Sequence, residues 1–239
     1  MRRIDRYSLI MLALVGLSRA GFAEEAPRSS DSASYRGSDF DGEGLTPDFS
    51  TYLVNGQSQG INRNNQIIFV NEAGTFSALG MRFESSYATS RYDEGMVSAA
   101  NPLDYLIREA VHIRPGVLVV RDLSRRRHSS DTLVARFHLG PAQAVQTIAT
   151  GHFVVGTLDI TSFGPSAVAT QFSSDKDTAG NVIGTLLQQT MPLGTSQMEL
   201  VTVFAEGVTG QSYANGILRL SNNQCVTFAS GQVSVATCP

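Results

Sequence analysis

The residues of this chain best suited to chemistry are cationic, and they fall at alternate positions. In Tyr105 to Leu123, Y-L-I-R-E-A-V-H-I-R-P-G-V-L-V-V-R-D-L, Arg108, His112 and Arg114 share one parity, and Tyr105, Ile107, Val111 and Ile113 share the other. Side chains two apart on a strand leave by the same face. The three cationic groups are therefore expected on a polar face that looks at solvent or at a ligand. Arg136 and His138 share a face of the later segment L-V-A-R-F-H-L, and Arg125-Arg126-Arg127-His128 lies between the two segments as a basic loop tip. Guanidinium groups take carboxylates and sulfates in two-pronged fashion. If consecutive strands are neighbours, as they usually are, these groups form a positive strip able to hold uronate or sulfate groups. Arg108, Arg125, Arg126, Arg127 and Arg136 are the candidate ligand-binding cations. The competing outcome is that each is taken up by a nearby acid such as Glu109, Asp122 or Asp131. Asn62, Arg63 and Asn64 add amides and a guanidinium suited to a carboxylate and hydroxyls, or else form an Asx-rich turn.

These groups have to be positioned by strands. Tyr105 to Ile113 and Val117 to Val120 read as an antiparallel hairpin about Pro115-Gly116, with Val111 facing Val120, Ile113 facing Leu118 and Glu109 facing Asp122. The run Val117 to Val120 is apolar on both faces, which suits a strand covered on both sides. Short strands bounded by Gly, Pro, Asn and Ser are expected at Ser50–Asn55, Gln66–Asn71, Phe76–Phe83 and Ser85–Tyr92. Thr132–Leu139, Val145–Ala149, His152–Ile160, Ala167–Phe172, Val182–Leu187, Gln197–Ala205 and Gly216–Leu220 continue the series. No window carries a sustained helical stripe. The fold class is all-β, an antiparallel two-sheet β-sandwich, with Val111, Ile113, Leu118, Val120 and Phe137 expected to be buried together.

The pattern Y-x-x-R-x-x-x-x-x-R-P-x-V-x-V-V-x-D from Tyr105 to Asp122, followed by L-V-A-R-F-H-L, resembles the β-sandwich of the heparinase II/III-type polysaccharide lyases. The resemblance runs from about Phe49 to Phe204, and N-R-N-N-Q-I-I-F-V from Asn62 is similar to that family's "H-N-T-(hydrophobic)-D-G" strand. Two departures stand out. Asn64 replaces the family's His, and the catalytic helical toroid that precedes the sandwich is absent. The resemblance implies a C-terminal sandwich portion, an acidic polysaccharide as ligand, and a separate helical toroid chain as partner. β-Elimination needs a base such as Tyr or His beside a neutralised carboxylate, which makes Tyr87, Tyr92, His112 and His138 the candidate catalytic residues. No complete constellation is legible. A structural or adhesive cell-envelope protein is the alternative.

Composition narrows the class further. Among 239 residues, 42% are hydrophobic and only 16% charged, and the formal net charge is -3, a balance that suits an extracellular β-protein and gives no general attraction to nucleic acid. Residues 1–23, with Arg2 and Arg3 before a short apolar run and a small-residue exit, read as a signal peptide. The protein is thus expected to be secreted or periplasmic, with no membrane span after cleavage. Residues 24–48 are Ser- and Asp-rich and are expected to form a disordered linker. Its Asp39-x-Asp41-x-Glu43-Gly44 copies half of a calcium loop. A domain from 49 to 239 ends in a hairpin that a Cys225–Cys238 disulfide would close, with Ser230-Gly231-Gln232-Val233 as its turn. No cofactor is expected. The four His residues cannot be assembled into a metal site by spacing, although a divalent metal stays open.

Overall fold

A computed structural model describes residues 52–56, 66–87, 101–140, 143–166, 168–176, 180–229 and 231–239. The expected signal peptide, the linker with its half calcium loop, Asn62, Arg63, Asn64 and Tyr92 lie outside the described residues. In chain order the strands are β1 (Tyr52–Val54), β2 (Gln66–Glu72), β3 (Phe76–Arg82), β4 (Leu103–Ile113), β5 (Val117–Arg126) and β6 (Leu133–Leu139). Then come β7 (Val145–Ala149), β8 (His152–Val155), β9 (Leu158–Phe163), β10 (Ala169–Lys176), β11 (Val182–Thr190) and β12 (Gln197–Ala205). The last four are β13 (Gly210–Ala214), β14 (Ile217–Leu220), β15 (Gln224–Ala229) and β16 (Gln232–Thr237). Among the described residues there is no α-helix, and one 3-10 turn covers Glu84–Tyr87.

The all-β antiparallel sandwich is borne out. A four-stranded sheet, β1-β6-β11-β10, packs on an eight-stranded sheet, β2-β3-β4-β5-β12-β9-β8-β7. The sandwich also carries a third layer: the sheet β13-β14-β15-β16 covers part of the other face of the eight-stranded sheet. The central sheet consequently has two cores. Leu106, Ala110, Leu118, Val120, Leu200 and Phe204 face the four-stranded sheet, where they meet Tyr52, Leu133, Phe137 and Leu187. Val111, Ile113, Val117, Val119, Val201 and Val203 face the opposite way and meet Leu218, Leu220, Val226 and Phe228 of the third sheet. The five residues expected in one core are all buried, but Val111 and Ile113 lie in the second and Leu118, Val120 and Phe137 in the first. Alternation explains this, because residues of opposite parity on paired strands cannot share a side.

The hairpin register is also corrected. Ile113 pairs with Val117, Val111 with Val119 and Glu109 with Arg121. The connection therefore holds three residues, Arg114, Pro115 and Gly116, and every partner moves by one position from the expected pairing. Arg114 donates to the carbonyls of Ala73 and Gly74 (both 3.0 Å) and to the Ser77 hydroxyl (2.8 Å), fastening the β2–β3 turn to this connection.

Three other spans differ from expectation. Ser85 starts no strand, since Tyr87 ends the 3-10 turn. The expected strand from His152 breaks into β8 and β9 at Gly156, whose positive φ of 64° suits glycine. In the last hairpin Ala229 pairs with Gln232 and Cys225 with Ala236, so the turn holds two residues rather than four. The Cys225–Cys238 disulfide is present all the same, with Cα atoms 5.0 Å apart.

Candidate functional site

The burial of Arg108 overturns the solvent-facing polar strip. Its side chain is 1% exposed, as is that of Asp122. Nε donates to one Asp122 carboxylate oxygen at 2.7 Å and Nη2 to the other at 3.0 Å. The guanidinium lies between the Tyr52 and Phe137 rings, 4.6 Å and 4.7 Å from their centroids. Cross-strand pairing of Arg108 with Asp122 in β4 and β5 creates this arrangement, and fork-to-fork geometry satisfies both partners inside the first core. The pair is part of the scaffold.

Other candidates are also taken into the structure. The Tyr87 hydroxyl donates to the Tyr52 carbonyl at 3.1 Å, and the residue is buried. His112 is buried between Ser77 and Leu118 on the neighbouring strands. Arg126 belongs to β5 and not to a loop. It is 1% exposed, and it donates to the carbonyls of Asp131, Thr195 and, at 2.7 Å, Pro192. It ties the β5–β6 connection to the segment before β12.

Arg136 and His138 do share a face, the outer side of the four-stranded sheet, as their spacing predicts. His138 Nδ1 is 2.7 Å from an Asp175 carboxylate oxygen supplied by β10. Burial lowers the Arg136 pKa, and Asp175 opposes that shift. This pair stands on a different layer from the hairpin's Arg residues.

At the rim of the eight-stranded sheet two guanidiniums reach solvent. The register slips between Leu103 and Tyr105, and such a bulge re-aims the extra residue. Here that residue is Asp104. Its carboxylate lies 3.2 Å from Arg125 Nε and 3.2 Å from Arg127 Nε, while the two Arg side chains stay 57% and 47% exposed. Two guanidiniums share one carboxylate, so the rim keeps a surplus positive charge.

Next to the rim, on the face opposite Arg108, lies a network that the sequence reading missed. Arg121 donates from Nε to Glu199 at 2.7 Å and from Nη1 to Glu109 at 2.9 Å, and its guanidinium sits 5.1 Å above the Phe228 ring. The Tyr213 hydroxyl donates to the Glu199 carboxylate. Burial and the Glu199 contact push the Tyr213 phenol up. Burial also pushes the Tyr105 phenol up; Arg125 opposes this, and Glu199 and Asp104 reinforce it.

Burial raises the Glu109 carboxyl above its ordinary 4.5, with Arg121 opposing. The folded state therefore holds this proton to higher pH than the unfolded chain. Its contribution to stability is present below the ordinary value and is lost as pH rises through the raised one. Glu109→Gln removes that loss. In urea titrations from about pH 4 to 7, the variant is expected to gain stability relative to the parent as pH rises. No change in the variant's stability relative to the parent, or a relative loss, as pH rises would contradict the placement of Glu109.

The fold is that of a polysaccharide-lyase-like β-sandwich. A heparinase III structure, the BT4657 gene product, superposes with a TM-score of 0.54 at 8% identity, over 80% of this chain and 30% of its own. A second heparinase III crystal structure gives 0.51 at 11% identity, over 82% of this chain and 30% of its own. The chain thus spans about 30% of the length of those enzymes. No protein-family model and no curated protein matches it.

Proposed function

We propose that this chain is an exported β-sandwich that binds an acidic, uronate-containing polysaccharide, with a separate helical toroid chain as the partner in which bond cleavage resides. The observation that carries the proposal is the rim, where Arg125 and Arg127 share Asp104 and remain half in solvent. On a protein of net charge -3, a local cationic surplus of this kind has a use in holding carboxylates or sulfates. The fold it shares with part of heparinase III supports the same ligand class. Residues 1–23 as a signal peptide and the Cys225–Cys238 bridge agree with an oxidising, extracytoplasmic compartment.

Binding of an acidic polysaccharide at low and at high salt tests this. Arg125→Ala/Arg127→Ala is expected to weaken binding about tenfold or more at low ionic strength and to flatten its salt dependence. Arg126 is left in place because it holds three backbone carbonyls. Equal, salt-insensitive binding by both proteins, or none by either, would remove the rim from the site.

A structural or adhesive envelope protein is the second reading. It is favoured by the exposed aliphatic side chains on both edge strands of the central sheet, Ile67, Ile68 and Val70 on β2 and Val145 and Ile148 on β7. Absence of polysaccharide binding would support it.

A further inference from the structure

Among the described residues six strands stand at the edges of the three sheets, and an edge left long, straight and uncharged is a template for another strand. Five of the six are blunted. β1 has three residues, and the ladders of β2, β7 and β13 slip between Ile67 and Phe69, Thr147 and Ala149, and Gly210 and Ser212. β10 slips between Asp175 and Lys176 and ends on those two charges. β16 has none of these devices. Its sequence Q-V-S-V-A-T holds no charge and no proline, and it pairs with β15 without a slip from Ala229–Gln232 to Gln224–Thr237. The Cys225–Cys238 bridge ties its far end to β15, so the edge is already held in shape.

One contact shows which way this edge faces. Asn71 of β2 donates from its side-chain amide to the Val233 carbonyl at 3.0 Å, which turns that carbonyl away from β15. Main-chain groups alternate sides along a strand, so the N–H and C=O of Val235 and Thr237 point the same way. The same contact sets β16 beside β2, on whose outer edge Ile67, Ile68 and Val70 are 60%, 40% and 70% exposed. A row of outward backbone groups and a row of exposed aliphatic side chains therefore share one side of the molecule.

We propose that this side joins two copies of the chain. β16 pairs antiparallel with β16 of the second copy about a two-fold axis, which merges the two third sheets into one sheet and brings the two β2 strands side by side beneath it. A two-fold contact has to match itself. β16 does so because any antiparallel register sets uncharged residues opposite uncharged ones, while Val233 and Val235 continue the apolar underside of the merged sheet. β2 does so because its aliphatic residues meet their equals, and its ends are closed by the ion pairs Glu72–Arg114 and Arg82–Glu84, which bring no unmatched charge to the axis. The slip at Ile68 leaves β2 to meet its equal through side chains; β16 supplies the hydrogen bonds. This contact is independent of polysaccharide binding, which uses the rim.

The test is sedimentation of the full chain from about 1 to 100 μM, beside hydrogen exchange read at single amides. A monomer–dimer equilibrium is expected within that range, and the amides of Val235 and Thr237 are expected to slow about tenfold or more as the dimer fills. Ser234→Lys/Ala236→Lys places on two exposed positions the charges that guard edges, and is expected to weaken dimerisation about thirtyfold or more with the urea midpoint unchanged. Val70→Glu is expected to weaken it about three- to tenfold. A chain that stays monomeric at about 100 μM, or a dimer that either variant leaves unchanged, overturns the proposal. A mass that climbs past two copies with concentration overturns it too, in favour of head-to-tail pairing. Should the double lysine variant prove unfolded, the amides decide: exchange at Val235 and Thr237 that ignores protein concentration overturns the contact.

Discussion

Asp122→Ala is expected to lower folding stability by about 3–5 kcal/mol, because it strips the carboxylate from a guanidinium that has no route to water. Arg108 lies inside the first core between Tyr52 and Phe137, and its Nε and Nη2 donate to the two carboxylate oxygens of Asp122. Removing one member of such a pair costs far more than removing both. Arg108→Met/Asp122→Leu, which fills the space with apolar atoms, is expected to recover most of the loss. Urea denaturation at neutral pH reads both proteins. An Asp122→Ala variant within about 1 kcal/mol of the parent would show that water reaches the pair.

The second large effect separates Arg126 from its neighbours in the basic run. Arg126→Ala is expected to cost about 2–4 kcal/mol, since three carbonyls, those of Asp131, Pro192 and Thr195, lose a charged donor together. Arg125→Ala and Arg127→Ala each remove an exposed ion pair to Asp104 and are expected to stay within about 0.5–1 kcal/mol of the parent. Binding is expected to sort the three in reverse. Equal melting temperatures for the three single variants would contradict the anchoring role of Arg126.

That division was not legible in R-R-R-H, where four cations in a row read as one solvated tip. The strand parity of β5 decides it: Arg126 falls on the parity of Ser124 and Asp122 and is buried, whereas Arg125 falls on that of Tyr105 and Leu123. The same limit applies to Arg108. Alternating polar and apolar residues signal a half-exposed strand only when the polar ones are solvated, and a buried ion pair produces the identical pattern. One clue was present. The expected register set Glu109 opposite Asp122, and like charges directly opposite are unfavourable. Moving the register by one residue sets Glu109 opposite Arg121 and Arg108 opposite Asp122, as observed.

What the sequence carried well was local. The strand Gln197 to Ala205 and the Cys225–Cys238 bridge appear as read, and the hairpin about Pro115-Gly116 appears with its register moved by one residue. The partners that complete the site come from far away in sequence. Glu199 reaches Arg121 from 78 positions on and is itself held by Tyr213, and Asp175 reaches His138 across β11. Periodicity within one segment holds no information about such pairings.

The third sheet differs from the other two in how its strands follow one another. β13, β14, β15 and β16 pair strictly in chain order, so all its ladders close between Gly210 and Thr237. The central sheet has to bring β12 to β5, joining Val201 to Arg121 across about 80 intervening residues, and the entropy of closing that loop is charged before any contact forms. Short closures run ahead of long ones. The C-terminal meander is therefore the layer able to zip up on its own timescale, offering Leu218, Leu220 and Val226 as a ready apolar floor on which the slower, long-range pairing of β5 with β12 settles.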